Sequence, residues 1–392
     1  MQRLRFSSRV NERLRSGKGE AFLIRSGMDN RAFELDFLPV GNSSRSGDAI
    51  AFRSGIYESG IWKNQEIFIV DGGNSDSGEK LVEHVNEVYK SDRVDRVFLT
   101  HPDADHASGL RIVIRDLEVG KIWMHRPWNY WSDLQDSIID GRVTKKSFGD
   151  RLREAYQYAH DIEQIALTKN PKVEIFAPHQ GNYYESCGEK LITVLGPSKE
   201  LYLSLIEQSE KNPHLQGSLG SSSLYKQSPK TQVYEDLSFE TEHLTEDEGR
   251  TSPENDMSLV LLLNLVGTKI LLTGDSGTMG LYNAIRYAVS EGVGFDDLKA
   301  FQVPHHGSRH NLSKGILDYL MSADYGLISC APQSDHHPAP VVINSLIRRN
   351  IIPYAANGNI LTWHSDNVPG RPDYGSAVPL SFSSYVEIPI EA

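Results

Sequence analysis

Residues 96–117, RVFLTHPDADHASGLRIVIRDL, do most to limit what this chain can fold into. RVFLT is short, apolar and rich in strand formers, and reads as a buried strand. It breaks into His101-Pro-Asp103-Ala-Asp105-His106, where four side chains of metal-ligating type lie within six residues. An amphipathic helix follows. A strand that gives way to a polar loop and then a helix is where α/β proteins set their chemistry. The spacing lets His101 and Asp103 converge on one ion while Asp105 and His106, at the helix start, address a second. Imidazole with carboxylate suits zinc, manganese or iron, and Asp103 in place of a nitrogen ligand tilts the set towards harder ions such as Mn²⁺. The alternative, a helix start capped by Asp105 with no ligand role, accounts for one residue of the four.

The rest of the chain repeats that pattern. FELDFLPVG, DAIAFRSG and IWKNQEIFIVDGG read as strands of one sheet, and residues 78–90 as a helix with Leu81, Val82, Val85 and Val88 on one face. SLVLLLNLVGTKILLTG (258–274) is interrupted by Asn264, Gly267 and Lys269, so it predicts two strands around a VGT turn rather than a membrane span. Further strands at 301–303, 325–330 and 351–355 alternate with helices near 278–290, 313–321 and 341–350. Strand after strand ends in His or Asp. Asp275, in LLLTGDSG, is presented at a sheet edge where one carboxylate can bridge two ions. His305-His306 and His336-His337 are paired histidines, one of each pair expected to ligate or act as an acid. Gly307 permits close approach of backbone, with Ser308 beside it, and Asn255 and Ser258 flank the strand that leads to Asp275. Asp71, in VDGG, is expected to orient the His101 loop.

Residues 111–253 fit the alternation less well. Phe148, Leu152, Ala155, Tyr156, Ala159, Ile162 and Ile165 predict one long amphipathic helix over 144–168, part of a cap. Residues 207–256 are polar, then acidic, and are expected to be a mobile loop. The run MHRPWNYW (124–131) either stacks bases or packs its aromatic rings into the cap. Residues 1–30 read as a basic arm. With 40 Lys+Arg against 52 Asp+Glu the net charge is −12, so nucleic-acid binding would need a local basic groove. Two cysteines, Cys187 and Cys330, exclude a disulfide framework and are expected to be buried. There is no GxxxxGK[ST] or GxGxxG segment to support a nucleotide-triphosphatase or dinucleotide reading. The chain is expected to be cytoplasmic, with no membrane association.

Taken in order, FLPVGNSSRSGDAI, IVDGG, LTHPDADHASGL, NDMSLVLLL, LLTGDSG, VPHHGS and HHPAPVVINSL resemble the metallo-β-lactamase-fold hydrolases, and within them the ComEC-like branch without its transmembrane channel. The resemblance covers roughly residues 33–110 and 254–365. It implies an αββα sandwich over 31–392 with an inserted cap, and a metal site at one end of the sheets. It also implies one or two divalent ions, zinc or manganese, on His101, Asp103, Asp105, His106 and Asp275, with His337 as the late histidine. Asn255 stands near the place of a missing third histidine. The expected activity is hydrolysis of phosphodiester bonds in nucleic acid or a nucleotide by a metal-activated hydroxide. In that reaction Asp105 orients the nucleophile and His305 or His306 bonds the substrate oxygen. The fold equally serves other esters, lactones and peptides. The competing class is a partner-regulated or non-catalytic binding protein that uses the N-terminal arm or residues 207–254 as its contact surface.

Overall fold

The computed structural model describes residues 30–41, 45–138, 140–212, 230–245, 251–371, 374 and 377–389. Residues 1–29 of the basic arm therefore lie outside the described residues, as do positions 213–229 and 246–250 of the expected loop. In chain order the strands are β1 (Arg31–Phe37), β2 (Ala49–Glu58), β3 (Ile61–Gly72), β4 (Arg93–Phe98), β5 (Glu118–Trp123), β6 (Glu174–Phe176), β7 (Tyr183–Ser186) and β8 (Glu189–Gly196). They continue with β9 (Lys230–Tyr234), β10 (Val260–Leu265), β11 (Thr268–Leu272), β12 (Leu298–Gln302), β13 (Tyr325–Ile328), β14 (Ile352–Ala355), β15 (Leu361–His364) and β16 (Tyr385–Pro389). Among the described residues they form a sheet in the order β15-β1-β2-β3-β4-β5-β6, a second in the order β14-β13-β12-β11-β10-β8-β7, and a β9–β16 ribbon. Each large sheet is half antiparallel and half parallel, the direction changing at β3 in the first and at β11 in the second.

The sequence pattern explains the layering. In β10 alternate residues point to opposite faces, and both faces are buried. Leu261, Leu263 and Leu265 enter the core between the sheets, while Val260 and Leu262 pack under helices. A strand covered on both sides reads as one continuous apolar run, which is why 259–263 shows no polar alternation. β3 behaves likewise, with Phe68 and Val70 facing the other sheet and Ile67 and Ile69 facing helices. Helices Ser75–Glu87, Ala104–Asp116, Gln157–Lys169 and Lys199–Gln208 cover the first sheet, and Thr278–Ser290, Lys314–Tyr319 and Pro340–Arg348 the second. The result is four layers, an αββα sandwich. The VGT turn closes β10 onto β11 with Val266 and Gly267 at φ 53 and 79 and Leu265 paired to Thr268, as a two-residue hairpin requires.

Three expectations are corrected. The helix expected over 144–168 is two, Lys145–Ala155 and Gln157–Lys169, because Tyr156 leaves helical geometry at φ −112, ψ 47 and turns its ring into the core. Residues 230–245 are anchored rather than a mobile loop. β9 pairs with β16, buried Glu235 meets Arg348 at 3.1 Å, and buried Glu242 meets Arg349 at 2.6 Å. Those acidic residues read as a solvated run but serve as counter-charges to Arg348 and Arg349 at the end of the helix Pro340–Arg348. Finally, Cys187 is exposed, and Cys330 alone is buried. The aromatic run at 124–131 packs inward, with Trp128 Nε1 donating to Glu163 at 3.0 Å. Among the described residues no helix is long and apolar enough to cross a membrane.

Candidate metal centre

Strand register brings the His and Asp residues to one end of both sheets. β3 delivers Asp71 at its last turn of chain, and the antiparallel pairing of Ala49 with Gly72 sets Asp48 next to it. β4, parallel to β3, ends two residues before Thr100 and the HPDADH loop. In the second sheet β11 and β12 run parallel and deliver Asp275 and His305-His306, while antiparallel β10 begins beside them, with Ser258 Oγ accepting from Asp275 N at 3.2 Å. The sheets are tied together at this end. Leu259 N donates to Thr100 O at 3.1 Å, and Gln302 Nε2 donates to Asp48 Oδ2 at 2.7 Å.

The loop itself is held by close backbone approach. A Cβ on Gly109 would lie 1.9 Å from Gly72 O, and one on Gly72 would lie 2.2 Å from Leu110 N, so the helix after the loop can seat against β3 only with glycine at both places. That helix starts at Ala104 with Asp103 at its N-cap, and Asp103 makes no capping hydrogen bond. The capping alternative, which placed Asp105 at the cap, is not realised. Asp71 and the pair His305-His306 sit in the left-handed region at φ 57, 48 and 58. Each such position costs about 1–3 kcal/mol and persists where surrounding structure enforces it.

Within the pocket His106 Nδ1 donates to Asp71 Oδ2 at 2.8 Å, and Asp71 also accepts from Thr100 N at 2.8 Å and Thr100 Oγ1 at 2.5 Å. His106 Nε2 then faces Asp275 Oδ1 at 3.4 Å. Asp275 Oδ2 lies 3.9 Å from His101 Nε2, 3.6 Å from His305 Nε2 and 3.8 Å from His306 Nε2. His306 reaches Asp48 Oδ1 through Nδ1 and Asp105 Oδ2 through Nε2, each at 3.9 Å.

Several of these atoms are buried without a hydrogen-bond partner: His101 Nε2, His106 Nε2, Asp275 Oδ1, Asp48 Oδ1 and both ring nitrogens of His306. A buried polar atom without a partner calls for a physical reason, and here they converge on one pocket. Donor atoms of His101, His106 and Asp275, of Asp105, His106 and His306, and of Asp48, Asp275 and His306 each lie within 4.8 Å of one another. The electrostatics agree. Burial alone would raise the Asp275 carboxyl, but His106, His305 and His306 hold it well below the usual range. Burial likewise works against charge on His106, yet Asp275 and Asp71 keep it well above an ordinary histidine. Burial pushes Asp48 up to about 7 and takes His306 down to about 3. A divalent cation fits this donor set, because it would satisfy the orphaned atoms and supply the positive charge that the carboxylates lack.

The other sequence candidates take distinct places. Asp105 is half-exposed at the mouth. Asp103 Oδ2 lies 3.9 Å from His101 Nε2, and its Oδ1 accepts from Lys211 Nζ at 3.0 Å. Asn255 Nδ2 lies 3.1 Å from His305 Nδ1, which is also 2.9 Å from Asn311 Oδ1. Ser308 is buried and accepts from His310 N at 3.2 Å, so it faces its own turn. His337 stands one ring further out, its centroid 5.4 Å from His305 and 6.0 Å from His306, outside the donor sets above. Sequence reasoning missed Asp48, Gln302 and Lys211. For Asp48 a signal existed, an acidic residue directly before the apolar AIAF run that begins β2.

Residues 61–174, from β3 to the start of β6 and including the HPDADH loop, match the family model described as Metallo-beta-lactamase superfamily. Among solved structures the chain is similar to the metallo-β-lactamase fold protein YhfI from Bacillus subtilis, at 9% identity over 84% of this chain and 99% of that one, TM-score 0.38. It is similar to a diphosphatase from the PhnP family at 10% identity over 76% and 86%, TM-score 0.34. It is also similar to a long-form RNase Z from yeast at 11% identity over 81% and 39%, TM-score 0.35. No curated protein matches the chain.

Proposed function

We propose that this chain is a metal-dependent hydrolase of phosphodiester bonds in nucleic acid or a nucleotide. One observation carries the reading: the buried, unpartnered donor atoms of His101, His106, Asp275, Asp48 and His306 converge on one pocket. An ion there would be held by His106, Asp275, His306 and Asp48, with His101 and Asp105 on either side. A divalent ion so held supplies a lowered pKa for water, from about 15.7 towards about 7. The chain's own residues do the rest. Half-exposed Asp105 accepts a hydrogen bond from the attacking water and aims it. His305, the more exposed of its pair, presents Nε2 beside Asp275 Oδ2, where it can bond a phosphate oxygen or return a proton to the leaving oxygen as the P–O bond breaks. Three carboxylates beside three imidazoles, with no thiolate among these residues, favour harder ions such as Mn²⁺, which suits phosphate chemistry. The ordered motifs that resemble the ComEC-like branch point the same way.

The test is to incubate wild type and Asp105→Ala with labelled single- and double-stranded DNA, RNA and a chromogenic phosphodiester, each with Mn²⁺, Mg²⁺ or Zn²⁺. Cleavage by wild type that is lost in the variant supports the reading. Absent turnover in both proteins at full metal loading refutes it and favours the partner-regulated alternative.

A further inference from the structure

We propose that Lys211, rather than a second divalent ion, balances Asp103, so that the chain takes up one tightly bound divalent ion and uses the Lys211 ammonium as the second fixed cation of the site. The inference deepens the metal-hydrolase reading and rests on it.

The two sides of the pocket are unequal. Towards the second sheet, Asp48 Oδ1, Asp275 Oδ1, His106 Nε2 and both nitrogens of His306 are buried and unclaimed. They come from four separate chain segments, and donor atoms of Asp48, Asp275 and His306 lie within 4.8 Å of one another. Towards Asp103 the donors are fewer. His101 Nε2 is unclaimed, but Asp103 Oδ1 is taken by Lys211 Nζ at 3.0 Å. Asn255, beside His305, commits its amide nitrogen to His305 Nδ1 at 3.1 Å and to Thr251 Oγ1 at 2.6 Å.

Lys211 is not a side chain that happens to lie nearby. Its backbone N donates to Ser209 Oγ at 3.1 Å, and Ser209 Oγ in turn donates to buried Glu254 Oε1 at 2.5 Å. Tyr156 OH donates to the same Glu254 oxygen at 3.2 Å, and the ammonium lies 5.1 Å from the Tyr156 ring centroid and 3.9 Å from Glu254 Oε1. Two carboxylates and an aromatic face thus hold the ammonium over Asp103. A charge held there competes for the carboxylate and repels a second cation. Lys211 keeps more than a third of its side chain accessible, so it can also meet an anionic substrate oxygen.

The test is Mn²⁺ stoichiometry, by calorimetric titration and elemental analysis, on wild type and four variants: Lys211→Met, Lys211→Arg, Asp103→Asn and Asp275→Asn. Circular dichroism establishes that each is folded. The expected result is one ion per chain for wild type, Lys211→Arg and Asp103→Asn, a second binding event for Lys211→Met, and loss of the ion in Asp275→Asn. Two ions in wild type, loss of the ion in Asp103→Asn, or no second event in Lys211→Met overturns the inference while leaving the hydrolase reading intact. A folded wild type that takes up no ion overturns both.

Discussion

Asp71 Oδ2 lies 2.8 Å from His106 Nδ1, and that contact decides which nitrogen of the imidazole the pocket receives. A carboxylate on Nδ1–H fixes the tautomer and leaves Nε2 to face Asp275, the arrangement found behind metal-ligating histidines generally. Replacing Asp71 with alanine should therefore weaken divalent-metal binding about 10–100-fold. Calorimetric titration of the folded variant measures this, and unchanged affinity would assign Asp71 to the Thr100 turn alone.

Gly109 sets how closely the loop's helix seats on β3. A Cβ there would lie within 1.9 Å of Gly72 O and 2.6 Å of Asn74 O, both backbone atoms that cannot swing aside. Gly109→Ala should destabilise the fold by about 1–3 kcal/mol or more. Urea denaturation reads the loss, and metal affinity should fall with it, because the HPDADH loop is displaced.

Much of this centre is legible in the sequence because its parts are local. His101, Asp103, Asp105 and His106 sit in one hexapeptide, and Asp275 and His305-His306 each end an apolar strand. What is not legible depends on contacts between distant segments. Asp48 joins the pocket only because β2 pairs with β3 in a register that sets Ala49 against Gly72. Lys211 reaches Asp103 from a segment whose composition suggests solvent. Glu235 and Glu242 look like surface acids until Arg348 and Arg349 are known to face them. Tyr156 fits the helical spacing of its neighbours, and only its inward hydroxyl, bonded to Glu254, shows why the helix breaks there.

The Glu235–Arg348 contact carries a prediction of its own. Both side chains are fully buried, and Glu235 Oε2 also accepts from Asn344 Nδ2 at 2.6 Å. Glu235→Ala would leave a buried guanidinium without its counter-charge, at a cost of about 3–5 kcal/mol. The β9 segment should then become sensitive to limited proteolysis, with the first cuts within 230–245. A protease-resistant variant would show that the β9–β16 pairing alone holds the segment.

Asp36 gives the fold a defined response to acid. It is buried on β1 and bonded to His84 Nε2 at 2.9 Å, Tyr89 OH at 2.7 Å and Arg371 Nη1 at 2.9 Å. Burial alone would raise its carboxyl, but His84, Arg371 and Tyr89 hold it well below the usual range. A depressed folded-state pKa stabilises the fold above the unfolded value of about 3.9 and loses that contribution as pH falls below it. Asp36→Asn should thus cost about 3–5 kcal/mol between pH 6 and 8. The gap between wild type and variant, read from urea midpoints, should narrow only below about pH 4. A gap independent of pH down to 2 would mean that packing rather than charge sets the effect.

The most direct measurement is the rate of hydrolysis of a chromogenic phosphodiester by wild type stripped with chelator and then reloaded with Mn²⁺ or Zn²⁺, beside Asp275→Asn treated identically. Asp275 lies 3.4 to 3.9 Å from four histidines, so it links more imidazoles than any other carboxylate of the pocket among the described residues. The expected result is no turnover by stripped wild type, recovery on reloading, and no recovery in Asp275→Asn. Equal rates with and without metal, or full recovery in the variant, would contradict a metal-dependent hydrolase centred on these residues.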